Sequence, residues 1–71
     1  MIEEFDVVAL TTSLPAYGLI EGDTGTVVDI HPAYKMCTVE FTRNEKTVAV
    51  VGIHAEDLRV VWREQAAAYA D

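Results

Sequence analysis

At 71 residues the chain is a single domain, and one this short buries only about 60% of the surface its unfolded form exposes. Its one cysteine excludes an internal disulfide framework and fits a reducing cytoplasm. Twelve acids against five bases, a net charge of −7, argue against direct nucleic-acid binding, which needs collected Lys and Arg. The same balance suits a basic protein partner, although acidic charge also serves simply to keep a small domain soluble. The opening Met1-Ile2-Glu3-Glu4-Phe5-Asp6 is acidic where a signal peptide is basic, and no apolar run approaches a membrane span. The expectation is a soluble cytoplasmic protein without membrane contact.

Dense β-branched residues punctuated by turn signals predict strands. Residues 5–11 read as the first, followed by a loop over 13–19 that contains Pro15 and Gly18. Glu21-Gly22-Asp23 is a tight turn whose glycine can take a positive φ. Residues 24–30 form the second strand, in which Gly25 marks a bulge or a close backbone approach. His31-Pro32-Ala33 ends it. Residues 34–42 form the third strand, with the clearest alternation: Cys37, Val39 and Phe41 share one face, Met36, Thr38 and Glu40 the other. Glu40 marks the second face as solvent-facing.

A polar hairpin at residues 43–46 leads to the fourth strand, 47–51. A connector over 52–57 follows, in which His54 to Asp57 suit one 3-10 turn. Residues 58–62 close as the fifth strand. The tail, 63–71, is alanine-rich with helical propensity, too short to be helical alone. The sum is an all-β fold, a small five-stranded SH3-like barrel over 1–62 followed by the tail.

In order and spacing, Asp6-Val7-Val8-Ala9-Leu10-Thr11, Leu14-Pro15, Gly18-Leu19, Gly22-Asp23-Thr24-Gly25-Thr26-Val27-Val28, Val39-Glu40-Phe41, Thr47 to Val51 and Leu58-Arg59 resemble a family of small bacterial proteins catalogued as a domain of unknown function. The resemblance covers residues 5 to 61, and Gly-Asp-x-Gly-Thr-Val-Val is its most specific part. That family looks similar in shape to KOW modules and to the nitrile hydratase beta subunit, which implies the SH3-like barrel. It further implies an antitoxin or immunity role, through an association with small toxin-like genes. Asn44-Glu45 departs from the expected pattern by lacking a glycine, and the tail lies outside it.

Chemistry-bearing constellations are sparse. A zinc site needs about four ligands, and His31, His54 and an inward-facing Cys37 do not supply them. Ser13 and Cys37 sit in no nucleophile signature. Gly22-Asp23-Thr24-Gly25 lacks the lysine and the helix of a phosphate loop, and Asp23 would repel phosphate. No catalytic residue, metal or cofactor is therefore expected.

The aromatics Tyr17, Tyr34 and Trp62 lie in or beside loops, where they either anchor a partner or cap the barrel ends. With Asp23, Asp29 and Glu56 they form the candidate binding set, Tyr17 and Tyr34 framing a groove. The leading expectation is a non-enzymatic protein-binding module, an antitoxin or immunity protein that occludes a basic enzyme. An accessory subunit of a larger enzyme is the alternative, a KOW-type nucleic-acid contact the third reading. Self-association into a homo-oligomer is also open.

Overall fold

The computed structural model describes residues 1–64. Five antiparallel strands form one sheet: β1 (Val7–Leu10), β2 (Thr24–His31), β3 (Met36–Arg43), β4 (Lys46–His54) and β5 (Leu58–Trp62), in the spatial order β4-β3-β2-β1-β5. The all-β expectation holds. Among the described residues no helix is long and apolar enough to cross a membrane. The helical propensity expected of the tail falls on residues 65–71, outside the described ones.

Two boundaries differ from the sequence reading. β4 runs on through Gly52, Ile53 and His54, which pair with Thr38, Cys37 and Met36. An unpaired third strand would otherwise leave its buried backbone groups unsatisfied. Tyr34 lies outside β3, in a 3-10 turn (Pro32–Tyr34) that ends on Lys35 at φ 54°. A matching turn, Pro15–Tyr17, ends on Gly18 at φ 71°. Both read Pro-Ala-Tyr, with proline pre-setting φ at the first position. With the expected turn at Ala55–Asp57 there are three, not one.

Alternation along β3 sets the core. Cys37, Val39 and Phe41 are buried with Val8 and Leu10 of β1, Val27 of β2, Ile53 of β4, Leu58 of β5 and the loop residue Leu19. Gly25 faces Phe41 across the β2–β3 pair. A Cβ there would sit 2.7 Å from both the Glu40 carbonyl oxygen and Val39 Cγ1, and 3.0 Å from the Phe41 ring. Of the two meanings a strand glycine carries, close approach is the one that applies. The bulge is elsewhere, between Val27 and Asp29, and two more bulges sit at Val7/Val8 on the β1–β5 pair and at Phe41/Thr42 on the β3–β4 pair. Each inserts a residue and bends the sheet. The extra residues of β4 and β5, Val48 and Val61, are exposed.

The β3–β4 hairpin turns through Asn44 (φ 54°) and Glu45 (φ 66°). Both signs are positive, as the twist-matched two-residue hairpin requires. Asparagine tolerates this region and glutamate does not.

The segment before β1 is held by a buried carboxylate. Asp6, 2% exposed, accepts from Glu3 N at 2.7 Å and from Arg63 Nε and Nη2, each at 2.7 Å. Arg63 also donates to the Met1 carbonyl at 2.7 Å. Arg63, which the sequence assigns to the tail, is thereby tied to the segment before β1. The Arg63 hydrogen bond lowers the Asp6 pKa most; burial opposes it, and the Glu3 amide, the Arg63 charge and the N-terminal ammonium lower it further.

Three outcomes follow from these contacts. Gly25→Val drives a side chain into backbone and core, and is expected to destabilise by about 3 kcal/mol or more; an unchanged melting temperature would mean β2 can move away from β3. Glu45→Gly removes a positive-φ penalty and should stabilise by up to about 1 kcal/mol, read as a Tm rise of several degrees. Asp6→Asn should lower Tm at neutral pH. Because the folded pKa is depressed, the charged Asp6 contributes fully above its unfolded pKa of about 3.9 and is lost as pH falls through the folded value. The Tm gap between parent and Asp6→Asn should therefore narrow below about pH 4; a gap that stayed constant into strong acid would contradict the pairing.

Candidate functional site

Two clefts open on either side of the N-terminal segment. The larger, about 490 Å³, is walled by Ile2, Ile30, Tyr34, Met36, Ala55 and Glu56, with the Met1 and Pro32 side chains at its rim. Its lining is mostly apolar, and its volume lies in the range of binding pockets generally. The smaller, about 290 Å³, is lined by Phe5 and Trp62 together with Glu3, Glu4, Asp6, Arg63 and Glu64. Met1 and Ile2 line the larger and Glu3, Glu4 and Phe5 the smaller, so the Asp6–Arg63 hook that helps to fix this segment bears on both clefts.

The six residues singled out from sequence divide three ways. Tyr34 (76% exposed) and Glu56 meet in the larger groove, brought there by two different 3-10 turns. Trp62, at the end of β5, lines the smaller cleft and is 57% exposed. Tyr17 is exposed on the first Pro-Ala-Tyr turn but lines neither cleft, so Tyr17 and Tyr34 do not frame one groove.

Asp23 and Asp29 are occupied locally. Asp23 accepts from Ile20 N at 3.0 Å and from Arg43 Nη2 at 2.8 Å, which closes the Ile20–Asp23 turn. The Ile20 amide, then Arg43, lower its pKa against burial. Asp29 accepts from the adjacent Ile30 N at 2.9 Å and lies 3.6 Å from His31 Nε2.

Phe5, assigned from sequence to the first strand, is instead 67% exposed at φ 72°, in the turn between Glu3 and Asp6. Its amide donates to the Val27 carbonyl at 2.7 Å, which holds this backbone shape. Once the fold puts Val8 and Leu10 in the core, Asp6 falls on their face and Phe5 on the other.

Chemically the groove offers few reactive groups. His54 and Glu56 line it, and Cys37 lies at its base, 2% exposed. Burial, then the Asp6 charge, push the Cys37 thiol pKa up, which keeps it protonated and a poor nucleophile. His31 Nε2 lies 3.1 Å from Thr38 Oγ1, across the β2–β3 pair. Among the described residues no three metal-ligating side chains gather.

The chain matches no curated protein and no solved structure. One family profile does match, over residues 4–60, from the acidic N-terminal turn into β5, and so takes in β1 to β4, the three 3-10 turns of the described residues and most of the larger cleft's lining, while Trp62, Arg63 and Glu64 of the smaller cleft lie beyond it. On that match the chain belongs to the domain of unknown function DUF4926.

Proposed function

We propose that this domain is a protein-binding module that docks on a basic protein, in the manner of an antitoxin or immunity protein that occludes a basic enzyme. The observation that carries the reading is how the charge is distributed. Of five bases, Arg43 and Arg63 are turned onto the domain's own Asp23 and Asp6. These two pairs take two acids and two bases out of play together, so the net charge of −7 is carried by the other ten acids against three scattered bases, and such a field repels phosphate and speeds encounter with a positive surface. The apolar groove with Tyr34 supplies what charge lacks: a desolvated surface on which a partner side chain can anchor. The domain in this reading contributes no chemistry of its own.

The accessory-subunit alternative draws on a different feature. β4 is an edge strand of nine residues, with Val48 45% and Val50 55% exposed. Such an edge can add a strand from a larger protein.

The deciding experiment titrates the purified domain against a short RNA, a DNA duplex and the product of its neighbouring gene, at two salt concentrations. Binding to the neighbour that weakens with salt is expected, with none to either nucleic acid. Reversing Glu21 and Glu56 to lysine should slow association about tenfold without lowering Tm; Asp23 is left alone because it closes its own turn. Tight, salt-sensitive binding to RNA or DNA, with none to the neighbour, would replace this reading with a nucleic-acid contact.

A further inference from the structure

The smaller cleft combines features that point to one occupant. Two of its lining residues are aromatic and open to solvent, Phe5 at 67% and Trp62 at 57% exposure. Exposed aromatic faces attract cations through the ring quadrupole, tryptophan most strongly. The rim carries three carboxylates, Glu3, Glu4 and Glu64. The one cation present, Arg63, is spent on Asp6 through paired hydrogen bonds to both carboxylate oxygens, with Glu3 a further 3.9 Å from its Nε. What remains facing the solvent is aromatic and negative.

Phe5 adds a second consideration. A bulky residue at φ 72° is strained, and a ring two-thirds exposed recovers little of that strain by burial. Judged on folding alone, glycine is the better residue there. The ring is held out by the turn that Val27 and Asp6 enforce, and the same turn places it in the lining of the cleft that Trp62 also lines.

We infer that the Phe5–Trp62 cleft is a receptor for an arginine side chain projecting from the basic partner, the guanidinium lying against the aromatic walls and paired with Glu4 or Glu64. Arginine is favoured over lysine because its planar cation stacks on aromatic faces and is more weakly hydrated. This rests on the protein-binding reading above and names where the partner's charge is read.

The molecule carries its own reporter, since Trp62 is its only tryptophan. The experiment titrates the domain with capped tri-arginine and follows Trp62 emission, with tri-lysine and the uncharged tri-citrulline as controls. Expected is a saturable, salt-sensitive change with tri-arginine, weaker with tri-lysine and absent with tri-citrulline. Phe5→Gly should weaken tri-arginine about five- to thirtyfold, with Tm held or raised. Should Phe5→Gly not fold, Glu4→Gln combined with Glu64→Gln carries the decision and should weaken binding likewise. Emission indifferent to tri-arginine, equal responses to arginine and citrulline, or unchanged binding in these variants overturns the site. Binding of the basic neighbour with a silent Trp62 overturns the cleft and leaves the partner reading standing. A Trp62 response to tri-arginine, with no basic protein bound, does the reverse.

Discussion

A carboxylate that is 2% exposed stays charged only if the groups around it replace water. Asp6 meets that demand with one backbone amide and both arms of an arginine. Because those partners come from the two ends of the described chain, a local electrostatic need becomes a tertiary tie. The N-terminal turn, the start of β1 and the end of β5 are drawn to one point. Phe5 and Asp6 add a strand-like exchange with Val27, whose amide donates to the Asp6 carbonyl at 2.9 Å while its carbonyl accepts from Phe5. Each cleft draws part of its wall from residues 1–5, which this tie holds together with the Phe5 amide bond and the packing of Ile2 on the core.

The rest of the domain is arranged so that a short chain can bury a core with one curved sheet. Small size leaves little margin, and the sheet must bend far enough for both ends to cover the same apolar cluster. Gly25 lets β3 come within contact of the β2 backbone, and the three bulges supply curvature on three of the four strand pairs. The bulge near Val48 also has a guarding effect. It breaks the regular edge of β4 between Thr47 and Ala49, and Lys46 stands at its start. Both devices discourage edge-to-edge pairing at the start of the strand and leave the regular stretch from Ala49 on as the part open to an added strand.

How much of this could be read from the sequence depended on whether a residue's neighbours were near in the chain. β3 was legible because Cys37, Val39 and Phe41 alternate with half-exposed Met36, Thr38 and Glu40, and the structure keeps that division. Gly25 was legible as a point of special packing, though only the fold decides that the cause is space and not angle. β1 was not legible in the same way. Val7, Val8, Ala9 and Leu10 are apolar on both faces, so periodicity cannot say which side Asp6 takes. The pairing of Asp6 with Arg63 joins residues from opposite ends, which no local pattern encodes. The repeated Pro-Ala-Tyr was visible as text, yet only its geometry shows that both copies are the same 3-10 device, one ending on glycine and the other on Lys35.

Cys37 gives the domain an internal clock. Its sulfur is sealed in the core between β2 and β4, and its thiol is held in the unreactive protonated form. A thiol reagent reaches it only through an opening, either of those strands or of the Met1–Ile2 segment that lines the same cleft. The rate of labelling at a single atom therefore counts openings around that cleft. The same burial protects the Cys37 thiol from mild oxidants in the folded state, so any disulfide between copies would be a record of molecules that had opened.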